Sequence, residues 1–94
     1  MNNAEALQIL GEELARFVAR SYAELARLAE LDHVETYEVR GPSGIIYQIE
    51  IQTFWDDPRE KRVIRVLGCI DDGGIRACFP LGQDVLVEPS EHQK

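Results

Sequence analysis

The chain reads as an α+β fold. A long N-terminal helix packs on one face of a four-stranded antiparallel β-meander, order 1-2-3-4, as a two-layer sandwich. Three observations predict it. Apolar residues recur at three- and four-residue steps up to residue 31, and they alternate with polar residues from residue 33. Short turns rich in Gly, Pro and Asp separate the alternating runs.

The helix comes first. Residues 4–31 hold no proline and one glycine and are rich in the helix formers Ala, Leu, Glu and Arg. Leu7, Leu10, Leu14, Phe17, Val18, Ser21, Leu25 and Leu28 make one stripe. Asn3 is placed to cap it, and Glu5 lies in the first turn, where the helix dipole favours negative charge. The pairs Glu12–Arg16 and Arg20–Glu24 are four apart, each worth about 0.2–0.5 kcal/mol. At about 1.5 Å per residue the helix would run for about 40 Å, longer than a typical strand, so one end overhangs the sheet or meets a partner. Gly11 marks the place for a bend.

The strands follow at 33–40, 45–55, 61–71 and 74–81. The second is the clearest: Ile45, Tyr47, Ile49, Ile51 and Trp55 point one way, and Gln48, Glu50 and Gln52 the other. The linkers are Gly41-Pro42-Ser43-Gly44, Asp56-Asp57-Pro58-Arg59 and Asp71-Asp72-Gly73-Gly74, all hairpin chemistry that makes sequential strands antiparallel neighbours. A two-residue turn at Asp72-Gly73 sets Ile70 opposite Ile75, Gly68 opposite Ala77 and Val66 opposite Phe79. Pairing Glu50 with Arg65 sets Ile51 opposite Ile64 and Tyr47 over Gly68. Both registers gather the large aliphatic residues on one face. Ile45, Tyr47, Ile49, Ile51, Ile64, Val66, Ile70, Ile75, Phe79 and Leu81 are then the core that receives the helix. Val85, Leu86 and Val87 suit a short fifth strand at 84–88, and the polar residues 88–94 read as a frayed tail. Ninety-four residues suffice for one domain, 1–94, and not for two.

Charge bounds the partners. Seventeen acidic residues against ten basic ones give −7, which argues against nucleic acid, since phosphate binding rests on Lys and Arg. The N-terminus Met-Asn-Asn-Ala-Glu lacks a basic, then apolar, signal, and no run approaches a membrane span. Cys69 and Cys78 form neither a CxxC pair nor a disulfide framework. These features predict a cytoplasmic protein with no membrane partner and no cofactor.

Four surfaces are candidates. The outer sheet face carries Gln48, Glu50, Gln52, Val63, Arg65, Leu67, Cys69, Arg76 and Cys78, apolar residues beside a Glu50–Arg65–Arg76 ladder. Against a merely solvated face, that mixture predicts a protein interface, in its simplest form a homodimer through this face or through the overhanging helix. At one end of the sheet Asp32, His33, Asp56, Asp57 and Asp84 gather oxygen and nitrogen donors that a cation would accept, although Asp is also the ordinary residue of turns. The cysteines would need a lowered pKa for nucleophilic work. Arg76 supplies charge across from Cys69, but no histidine is placed as base, so the chain reads as non-enzymatic. Tyr47, Trp55 and Phe79 are candidates to line a ligand pocket between helix and sheet, or else simply fill the core.

The run Arg65-Val66-Leu67-Gly68-Cys69-Ile70-Asp71-Asp72-Gly73-Gly74-Ile75-Arg76-Ala77, followed by Pro80-Leu81, resembles an IDDGG–R–PL hairpin of small bacterial hypothetical proteins. In those a YQ-E-Q strand precedes the hairpin, as Tyr47-Gln48-Ile49-Glu50-Ile51-Gln52 does here. The resemblance spans residues 37–82 and implies a bacterial origin, with no activity attached. In element order the chain is also similar to cystatin-like and nuclear-transport-factor-like sheets that wrap a helix, a likeness silent on function. The expectation is a non-enzymatic protein acting through protein contacts as a homodimer, with a small-ligand-binding module as the alternative.

Overall fold

The computed structural model describes residues 2–73 and 81–89. Its elements are α1 (Asn3–Val18), α2 (Tyr22–Glu30), β1 (Val34–Arg40), β2 (Ile46–Trp55), β3 (Ile64–Asp71) and β4 (Leu81–Val87). The four strands form one antiparallel sheet in the order β1-β2-β3-β4, with the helices on one face: an α+β sandwich.

The helix is broken. Ser21 leaves helical geometry at φ −64°, ψ 155°, and its hydroxyl accepts from the Glu24 amide at 3.2 Å, starting α2 anew. Ser21 therefore caps a helix rather than extending a stripe, and the break falls at 19–21 rather than at Gly11. Asn2, one residue before the expected cap, accepts from the Glu5 amide. The break lets each piece follow a different part of the sheet: α1 crosses β3 and β4, and α2 crosses β2.

Burial follows the period-two pattern. Tyr47, Ile49 and Ile51 of β2 and Ile64, Val66 and Ile70 of β3 are buried against Leu10, Leu14, Phe17 and Leu25. Ile45 and Leu81 pack at the margin of this core, while Ile75 and Phe79 lie outside the described residues.

Two registers differ from expectation. Glu50 pairs with Cys69, Ile51 with Gly68 and Trp55 with Ile64, so the β2–β3 ladder is displaced by four residues. The cause is the turn. Lys61 donates its amide to the Asp57 carbonyl, Asp56 donates to the Val63 carbonyl, and β3 begins only at Ile64. An even displacement keeps each side chain on its face, so the core survives it. Gly68 is not covered by Tyr47. A Cβ there would stand 2.9 Å from Leu10 Cδ1 and 3.0 Å from Leu14 Cδ2, so the residue is glycine where α1 presses on the sheet.

The second difference is the partner of β3. Ile70 pairs with Leu81, Gly68 with Gln83 and Val66 with Val85. The segment expected as an optional fifth strand thus belongs to the fourth. Val85 and Val87 face inward beside β3, and β-branched residues suit that half-buried surface. The expected strand 74–81 falls, apart from Leu81, outside the described residues.

Candidate functional site

Helices cover the inner face, and among the described residues nothing covers the outer one. Its central row runs Val34, Gln52, Leu67, Asp84; the next holds Thr36, Glu50, Cys69, Gly82. Beyond these lie Glu38, Gln48 and Asp71 on one side, and Phe54, Arg65 and Leu86 on the other. Val34, Ile46 and Leu86 keep 47%, 43% and 51% of their surface in solvent, values that mark apolar groups left half uncovered by the described residues. Phe54, Val63, Leu67 and Cys69 are half-buried by their strand neighbours.

The expected charge ladder is replaced by a fork. Arg65 stands opposite Phe54 and Leu86, and its Nε and Nη2 donate to Asp56 Oδ1 at 2.9 and 2.7 Å while Nη1 donates to Asp84. These carboxylates hold the guanidinium charged, Asp56 foremost. The fork ties the β2–β3 turn to β4 across the outer face; being solvent-exposed, it adds little stability. Glu50 is not its partner and lies beside Thr36 and Cys69 instead. Across from Cys69 stands Gly82 rather than Arg76, and Arg76 and Cys78 lie outside the described residues. Burial, with the charges of Glu50 and Asp71, pushes the Cys69 thiol up, the reverse of what a nucleophile needs.

On the inner face a feature appears that periodicity did not reveal. The polar tips of three aromatic residues each end on a helix glutamate. Tyr47 Oη donates to Glu5 Oε1 at 2.7 Å, Tyr37 Oη to Glu13 Oε1 at 2.7 Å, and Trp55 Nε1 to Glu30 Oε2 at 2.6 Å. Ser43 adds its amide (2.9 Å) and hydroxyl (2.6 Å) to Glu5. These donors, Ser43 first and Tyr47 next, hold the Glu5 carboxyl below its ordinary range. Burial, then the bond to Glu5, pushes the Tyr47 phenol up to about 12. Burial likewise raises Tyr37, with Glu13 reinforcing it. Aromatics with a polar handle peg both helices to the sheet.

The remaining candidates disperse. Tyr47 and Trp55 stand at opposite ends of β2, each engaged by a different helix, and Phe79 lies outside the described residues. Of the acidic end, Asp56 and Asp84 point to Arg65, Asp57 accepts the Arg59 amide, and His33 Nε2 meets Glu35 at 3.1 Å. Among the described residues no group of three or more His, Cys, Asp or Glu is arranged to hold a metal ion. No described helix is long and apolar enough to cross a membrane.

No family model matches the chain, and neither curated proteins nor solved structures yield a match. The fold and the exposed surface are therefore the ground for any functional reading.

Proposed function

We propose that the chain acts through protein–protein contacts made by the outer face of its sheet, and that its first partner is a second copy of itself. The observation that carries this reading is the set of solvent-exposed apolar side chains on the face opposite both helices, Val34 on β1, Ile46 on β2 and Leu86 on β4, with half-buried Phe54, Leu67 and Cys69 on the strands between. A sheet face on which apolar residues alternate with groups able to hydrogen-bond is the kind of surface that marks association. Gln48, Gln52 and Thr36 supply such groups between the strands. Four strands about 4.8 Å apart and seven residues at about 3.4 Å each span roughly 19 × 24 Å. That footprint falls at the small end of specific interfaces, so association is weak and concentration-dependent.

The test is sedimentation of the full chain over a concentration series. The dimer fraction should rise with concentration in the wild type and be lost in Leu86→Lys, whose side chain is half-exposed in the monomer and so leaves the fold intact. A wild type that stays monomeric at the highest concentrations, or a Leu86→Lys dimer of unchanged strength, contradicts the proposal.

A further inference from the structure

Two connections meet at one end of the sheet: the loop from α2 to β1, and the turn from β2 to β3. Between them is a hollow of about 330 Å³, lined by Phe54, Trp55 and Pro58 and by the charged Glu30, Asp32 and Lys61, with Ala29 beside them. Its charges do not balance. Lys61 Nζ lies 3.2 and 3.1 Å from the two Glu30 oxygens, and Trp55 Nε1 occupies the same carboxylate. That pair is satisfied. Asp32 is not: its carboxylate has no hydrogen bond or ion pair to any described residue. It also sits at the C-terminal end of α2, where the helix dipole adds partial negative charge.

Folding does not call for an aspartate here. The Asp32 amide donates to Ala29 and the His33 amide to Leu28, a helix ending in which the residue at Asp32 takes left-handed backbone, φ 47°. Glycine is favoured at that position, and a negative charge is disfavoured by the dipole. Lys61, at φ 52°, is the other left-handed residue among the described non-glycine positions, and it lines the same hollow.

We propose that this hollow receives the guanidinium of an arginine presented by a partner protein, stacked against Trp55 and paired with the Asp32 carboxylate. The chemistry is matched on both sides of the cation. A planar guanidinium is weakly hydrated, stacks on an indole and bonds a carboxylate with two parallel N–H groups. The hollow supplies an indole, neighbouring apolar rings and one carboxylate not already engaged. The hollow shares Phe54 with the edge of the outer face, but Asp32 lies on the α2–β1 loop, so its variants test this site apart from the outer-face contact.

Trp55 is the single tryptophan of the chain, so its fluorescence reads the hollow directly. Titration of the full chain with N-acetyl-arginine amide should give a saturable change, and the neutral isostere N-acetyl-citrulline amide should give none. Asp32→Asn should raise the midpoint by about fivefold or more. Asp32→Gly should weaken binding equally while raising Tm, because it relieves the left-handed backbone; this separates loss of the ligand from loss of the fold. Linear quenching by both amides, or an unchanged midpoint in the Asp32 variants, overturns the proposal.

Discussion

The two faces of this sheet are built from the same strands and differ in almost every other respect. The inner face is closed by α1 and α2, and its aromatic tips are pegged to helix glutamates. The outer face holds exposed Val34, Ile46 and Leu86 and one arginine fork. One lesson follows from the difference. The two helices cover one side of the four strands, so apolar side chains on the second side keep about half their surface in water and contribute less to the folded monomer than those inside. The rest of their surface is buried only when something else covers it.

Substitutions on the two faces make that contrast measurable. Ile70→Ala, on the inner face, should cost about 2–5 kcal/mol, because it opens a cavity under α1. Leu86→Ala, outside, should stay within about 0.5 kcal/mol in dilute protein. Denaturant midpoints decide it, and similar losses would erase the distinction between the faces. A smaller effect sharpens it. Gly68→Ala should cost about 1–3 kcal/mol, since its methyl would press on Leu10 and Leu14. Gly82→Ala should be neutral, its methyl meeting, among the described residues, the Gly68 carbonyl at 3.5 Å and Cys69 Sγ at 3.9 Å, both ordinary contacts.

The smallest effect is in the pegs. The Glu5 carboxyl titrates below its ordinary value of about 4.5 in the fold. Its contribution is therefore fully present above that pH and is lost as pH falls through the folded value. Glu5→Gln should flatten this part of the acid profile, read as Tm against pH. A profile identical to the wild type would show that the peg carries no pH-dependent stability.

Much of the fold was legible because alternation survives errors of register. The β2–β3 ladder is displaced by four residues from the expected pairing, yet Ile51, Ile64 and Val66 still face inward, since four is even. What failed had local causes. Asp72-Gly73 looks like a two-residue turn, which would set Ile75, Ala77 and Phe79 opposite Ile70, Gly68 and Val66, the places that Leu81, Gln83 and Val85 take. Ser21 occupies a stripe position, which concealed the break, although Ser21-x-x-Glu24 is a cap signature. The glutamate pegs leave no trace in periodicity. They join residues 24, 25 and 42 apart and exist only once the layers are packed.

The outer face contains its own reporter for the central claim. Cys69 lies in the middle of β3 on that face, half-buried and without a disulfide. The measurement is the rate at which a small thiol reagent modifies Cys69 in Cys78→Ser protein, at mildly alkaline pH and rising protein concentration. If copies associate through this face, modification slows as concentration rises, and Leu86→Lys restores the fast rate. A rate independent of concentration, in a protein shown to associate by sedimentation, would place the contact elsewhere and contradict the account.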